Sequence, residues 1–161
     1  MSHPNADRVA HAARALGLEV EIREFPEGTR TADDAATAIG ASVGQIVKSL
    51  VFSVDDEVVL ALVSGANRLD EDKLAAAAGG IEVGRVGADT VRAATGYPIG
   101  GVPPVGHLAP LRVFCDEDLL GHDVVWAAAG TPRHVFSAEP RALVSAAGAA
   151  VAPLASERAS P

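Results

Sequence analysis

Residues 95–110, T-G-Y-P-I-G-G-V-P-P-V-G-H-L-A-P, place four glycines and four prolines within sixteen positions. No helix or central strand survives that composition: proline removes a main-chain donor and fixes φ, while glycine admits conformations closed to other residues. The chain must cross this region as a bent but stiff loop. Loops of this kind hold N–H groups where a carbonyl oxygen or a developing oxyanion can be received, so the stretch reads as the wall of an active site. Its other reading is a connector of awkward geometry.

The flanking segments alternate short helices with short strands. Asn5 can cap a helix whose Val9, Ala12, Ala13 and Leu16 share one face and which Gly17 ends. Residues 19–25 alternate as a half-buried strand, stopped at Pro26, Glu27 and Gly28. Thr31 and Asp34 form a capping arrangement for a helix through Ile39. Two apolar runs on either side of Asp55 and Asp56 predict an antiparallel hairpin near the centre of the sheet. Lys48 stands at the entrance to the first run, either as a functional cation or as a side chain snorkelling from a strand end. Asp70 and Asp89 can cap two further helices, ended by Gly79 and Gly96. Strands follow at residues 81–86, 111–115, 124–129 and 134–136, and Pro140 opens a last helix that Gly148 stops. Val151 leads into a tail.

These elements predict an α+β fold: one domain with a mixed, largely antiparallel, curled and barrel-like sheet flanked by short helices. The domain is expected over residues 1–154, with a flexible tail at 155–161. A chain of 161 residues that is 48% hydrophobic but only 4% aromatic should build its core from small aliphatic side chains. The formal charge of −8 opposes a broad nucleic-acid-coating surface, so any RNA contact must be local and rest on a few basic residues. No apolar run reaches the roughly 20 residues a bilayer requires, and the polar start lacks the apolar core of a signal peptide; a cytoplasmic protein without membrane contact is expected. A single cysteine, Cys115, permits no internal disulfide.

The common catalytic devices do not fit. The five histidines show no paired ligand spacing and one cysteine cannot complete a zinc site, so neither metal nor cofactor is expected. No P-loop, dinucleotide fingerprint or nucleophile elbow is present, and Cys115 in V-F-C-D reads as an inert core thiol. A hydrolase without metal or nucleophile must act on an already activated bond, and an aminoacyl ester is such a bond.

Four stretches in order, Q-I-V-K-S-L-V-F, S-G-A-N-R-L-D-E-D-K-L, G-Y-P-I-G-G-V-P-P-V-G-H and W-A-A-A-G-T-P-R-H-V-F, resemble the YbaK-type aminoacyl-tRNA deacylases, a family related to the editing domain inserted in bacterial prolyl-tRNA synthetases. The resemblance implies a trans-editing hydrolase that cleaves the ester between a wrong amino acid and the 3′ end of a tRNA, with tRNA-Pro carrying a small residue such as Cys or Ala as the expected substrate. It implies catalytic roles for Lys48, Gly100, Gly101, Pro104 and Gly106: the lysine holds the terminal nucleotide, Gly100 and Gly101 offer N–H groups, and Pro104 stiffens the loop. Gly130, Thr131, Thr31, Ser49, Ser64, His107 and Arg30 are the expected substrate-binding residues. Arg68, Lys73 and Arg133 join Arg30 as candidates for a basic rim. The partner would be the aminoacyl-tRNA 3′ end, with prolyl-tRNA synthetase or an elongation factor helping to deliver it. A silent binding module of the same fold and a small-molecule esterase are the alternatives; the amino acid removed and the oligomeric state are open.

Overall fold

The hairpin at the centre organises everything around it. In the computed structural model, which describes residues 3–25 and 31–156, strand β2 (Val47–Val54) folds back on β3 (Glu57–Ser64) in full antiparallel register, from Val47 against Ser64 to Val54 against Glu57. Asp55 and Asp56 take positive φ, 48° and 71°, as the two central residues of a tight hairpin turn must. The carboxylate of Asp55 then accepts the N–H of Ile81 and of Glu82, which seats the short β4 (Val83–Arg85) against the far end of β2 only, at Phe52, Ser53 and Val54.

On the other side, β3 pairs in parallel with β5 (Arg112–Asp116), and β5 with β8 (Ala150–Ala152), giving a mixed sheet ordered β4-β2-β3-β5-β8. A smaller antiparallel sheet holds β1 (Ile22–Glu24), β7 (His134–Ala138) and β6 (Val125–Ala128), with β7 in the middle. The two meet where Ile46, at the mouth of β2, bridges Trp126 of β6 in parallel. Parallel pairing of β3 with β5 needs a crossover, and α3 (Glu71–Ala78), β4, α4 (Ala88–Thr95) and the Gly/Pro loop supply it.

The five residues from Val59 to Val63 have no solvent exposure because β3 is covered on both faces. Leu60 and Leu62 face a core shared with Val9 and Ala13 of α1 (Pro4–Ala15), Phe136 of the small sheet and Leu143 of α5 (Pro140–Ala147). Val59, Ala61 and Val63 face Leu74 of α3, Phe114 and Leu154. A strand buried on both sides has no polar face, which is why this run is continuously apolar rather than alternating.

The sequence reading holds for the α+β class, the central hairpin and most helix ends. Thr31 accepts the N–H of Asp34 to cap α2 (Ala32–Ile39), and Asp70 accepts that of Lys73 to cap α3. Three details differ. His3, not Asn5, caps α1 through Nδ1, because Pro4 fits the first helical position and releases the Asn5 side chain for a longer reach. Gly87 rather than Asp89 precedes α4, leaving Asp89 in its first turn. Val151 belongs to β8, a three-residue edge too short to show a period. Ala155 bridges Leu69, and the N–H of Ser156 bonds to Arg68 O. Arg30, residues 26–28 and residues 157–161 of the expected tail lie outside the described residues. No helix among the described residues is long and apolar enough to cross a membrane.

Truncating Leu62 should cost about 2–5 kcal/mol in urea unfolding. Ile81→Ala, at a side chain 86% exposed, should change stability by less than about 0.5 kcal/mol.

Candidate functional site

A gap along one edge of β2 defines the candidate site. The N–H of Gly65 donates to Ile46 O, so even-numbered residues of β2 exchange their main-chain bonds with β3. Ser49 and Val51 turn theirs the other way. There β4 reaches back only to Phe52 and β6 reaches only Ile46, so on that side no strand among the described residues lies beside residues 48–51. The gap opens into a cleft with two lobes of about 830 and 480 Å³ that share Lys48, Ser49, Leu50, Gly65, Ile99, Gly100 and Val102. Lys48 and the glycine loop therefore meet in one cavity.

The lobes differ in chemistry. The larger carries the charged side chains of Lys48, Arg68, Glu71 and Arg85. Apart from Lys48, the described residues that line the smaller are uncharged, among them Ala32, Ala35, Ile39 and Trp126. Behind Trp126, the Arg23 guanidinium lies 5.1 Å from the indole centroid. Ile99 lines both lobes and is 60% exposed.

Main-chain contact fixes the loop. Gly101 N–H donates to Pro98 O at 2.9 Å to close a turn, and Gly130 N–H donates to Gly101 O at 2.8 Å. A Cβ on Gly101 would lie 2.7 Å from Thr131 Cα, and one on Gly130, whose φ is +97°, would lie 2.9 Å from the Asn5 main chain. Asn5 Nδ2 donates to Gly130 O at 2.9 Å, tying the N-terminus of α1 to the same point. The N–H of Gly101 is thus engaged within the loop and not offered to a ligand as expected. Gly100 lines both lobes, and its N–H has no hydrogen-bond partner among the described residues.

The other expected residues separate into groups. Ser49 lines both lobes, and its Oγ is buried without a hydrogen-bond partner among the described residues. Thr31 reaches the smaller lobe while capping α2. Ser64 lines neither; its hydroxyl donates to Gly44 O at 2.7 Å and accepts from Ala66 N–H, fastening the turn after β3. Gly130 and Thr131 stand behind Gly101, with Thr131 Oγ1 bonded to His134 Nδ1 at 2.6 Å. Pro104 is buried in the descending part of the loop. Gly106 abuts Ala12 of α1, where a Cβ would come within 2.6 Å of the alanine methyl. With His107 it lines a separate hollow of about 510 Å³ beside Arg8, His11 and Tyr97. Burial pushes the His107 pKa below its ordinary value, opposed by the bond its Nε2–H donates to Pro103 O at 2.6 Å. The sequence reading did not assign site roles to Asn67, Arg85, Ile99 and Trp126. Asn67 lies within a quoted motif, but nothing in spacing shows that Lys48 Nζ donates to its carbonyl oxygen.

Cys115 is buried on β5 away from the cleft, and burial together with the neighbouring Asp116 carboxylate pushes its pKa up to about 12. Among the described residues no three His, Cys, Asp or Glu side chains converge to hold a metal ion.

A family model described as an aminoacyl-tRNA editing domain matches residues 26–146. A proline–tRNA ligase of Pelotomaculum thermopropionicum is 33% identical over 122 residues, which are 75% of this chain and 21% of the ligase. The chain thus spans about a fifth of the length of that curated relative. The uncharacterized protein YwhH of Bacillus subtilis is 30% identical over 126 residues, covering 78% of this chain and 80% of YwhH. Among solved structures, a proposed trans-editing enzyme for prolyl tRNA synthetase superimposes with a TM-score of 0.92 at 49% identity, over 98% of this chain and 100% of that one.

Gly101→Ala should lower stability by about 1–3 kcal/mol, because the added methyl meets main chain that cannot rotate away. Below its raised pKa the Cys115 thiol stays protonated. It should resist a thiol reagent at pH 8 in the native protein and react once denaturant exposes it.

Proposed function

Because the chain belongs to the aminoacyl-tRNA editing domain family, we propose that its cleft receives the charged 3′ end of a tRNA and hydrolyses the aminoacyl ester. The convergence of Lys48 and Gly100 on one cavity carries this reading. The larger lobe, with Lys48, Arg68 and Arg85, suits the ribose and phosphates of the terminal nucleotides. The smaller lobe suits a small uncharged amino-acid side chain.

In this orientation the ester carbonyl lies at the junction of the lobes, beside Gly100. Attack by water on the carbonyl carbon forms a tetrahedral oxyanion, which the unengaged Gly100 N–H and the positive Lys48 stabilise. Collapse breaks the bond to the ribose oxygen, which takes up the proton the water gives away, releasing free amino acid and tRNA. The ester is labile, so orientation and fixed dipoles supply the needed acceleration without a covalent enzyme intermediate. Substrates with a nucleophilic side chain can attack their own carbonyl in the same pose. Relatedness to proline–tRNA ligases makes tRNA-Pro bearing Cys or Ala the substrate of choice. The net charge of −8 makes delivery by a synthetase or elongation factor useful to an otherwise repelled RNA.

A silent binding module is the competing reading, favoured by the absence of any histidine from the two lobes. A panel of mischarged tRNAs incubated with the protein and a chelator separates the two: release of Cys, Ala, Ser or Thr establishes turnover, whereas saturable binding with intact esters establishes the module. Loss of the Lys48 ammonium in Lys48→Ala should reduce kcat/KM by about 100- to 1,000-fold. Arg68→Gln and Arg85→Gln should each raise KM and flatten its salt dependence by about 0.7 in the log–log slope, the value for one single-strand phosphate contact.

A further inference from the structure

We infer that Asn67 positions Lys48 for the reaction, an inference that rests on the assignment of Lys48 to the tRNA-end site. A lysine side chain turns about four bonds, and an ammonium that is to act at a fixed point must be held there against that freedom. Lys48 Nζ donates to the main-chain carbonyl of Asn67, in the turn that follows β3. The turn is itself closed by the Asn67 N–H bonding to Ser64 O at 2.9 Å.

Beyond that carbonyl, the Asn67 side chain reaches two carboxylates. Its Nδ2 donates to Asp116 Oδ2 at 3.1 Å and to Asp118 Oδ2 at 2.8 Å, using both hydrogens of the amide. Asp116 is 1% exposed, and its second oxygen accepts the N–H of Leu154 at 3.0 Å. The ion pairs among the described residues are Arg112 with Glu57 and His134 with Glu24, so neither serves Asp116. A carboxylate at that depth needs a donor on each oxygen, and Asn67 supplies one of them. The amide is thereby anchored to β5, inside the central sheet, and carries that rigidity through the turn to the ammonium on β2. A side-chain amide, with two hydrogens and no charge, fits the arrangement. Aspartate would place a third carboxylate against two, alanine offers no donor, and one hydroxyl hydrogen cannot serve two acceptors.

The test is a mutant cycle read in single-turnover deacylation of a mischarged tRNA with enzyme in excess, using wild type, Lys48→Ala, Asn67→Ala and the double variant. Asn67→Ala should lower the maximal rate about tenfold, leave the half-saturating enzyme concentration within about twofold, and cause no further loss where Lys48 is already absent. Asp118→Ala, at an exposed side chain, removes one anchor without disturbing the buried acid. It should show a smaller loss that also vanishes in the Lys48→Ala background. Equal losses with and without Lys48 would assign Asn67 to general stability and overturn the inference, as would an unchanged rate in Asn67→Ala. An unchanged rate in Lys48→Ala would instead remove the site reading on which the inference stands.

Discussion

Gly101 and Gly130 touch main chain to main chain, and the placing of the loop over the cleft follows from that contact. No side chain fits between Gly101 and Thr131 or between Gly130 and Asn5, so the loop, the β6–β7 turn and the start of α1 form one rigid junction. Close packing of backbone leaves little room for adjustment. Gly100, one residue away, is presented to the cleft by a support that cannot recede. Pro98, Pro103 and Pro104 stiffen the remaining path, so the N–H at Gly100 is held in place before any ligand arrives.

The second condition is an interrupted sheet. A strand edge normally finds a neighbour or is blunted, yet among the described residues β2 has strand β4 beside one end, β6 beside the other and no strand between at residues 48–51. Asp55 enforces the interruption by capturing the start of β4 at the hairpin turn, so β4 can pair only with the last residues of β2. Polar main chain, the Ser49 hydroxyl and Lys48 then share an opening on a strand paired along its other edge with the fully buried β3. An open edge between rigid walls is the arrangement the proposed editing function requires, because discrimination against a cognate amino acid that differs by little depends on walls that do not yield.

Much of this is visible along the chain because it is local. Helix caps at Thr31 and Asp70, left-handed glycines after α2, α3, α4 and α5, and the doubly buried run of β3 each declare themselves within a few residues. Lys48 and Gly100 could be named as site residues from motifs and from a resemblance, and they do share a cavity. Gly101, Gly106 and Gly130 illustrate the opposite: their motif positions suggest contact with substrate, while their surroundings show backbone and helix packed against them. A glycine admits close approach by a ligand or by the protein itself, and sequence does not say which. Ser64 and His107 were ambiguous in the same way, since a hydroxyl or an imidazole in a loop can serve the fold through one hydrogen bond.

What the sequence alone determined was the α+β class, the central hairpin, the non-regular course of residues 95–110 and the location of the one lysine in the leading apolar strand. Propensity, capping and period act over a few residues and are therefore written in order. Only the tertiary structure decided that β4 stops short, that the described residues of the cleft form one lobe with several charges and one whose sole charge is Lys48, and that Asn67 joins Lys48, 19 positions before it, to Asp116, 49 positions after it. Those outcomes depend on distances between segments far apart in the chain, and such distances are set by how the two faces of β3 are filled rather than by any stretch read alone.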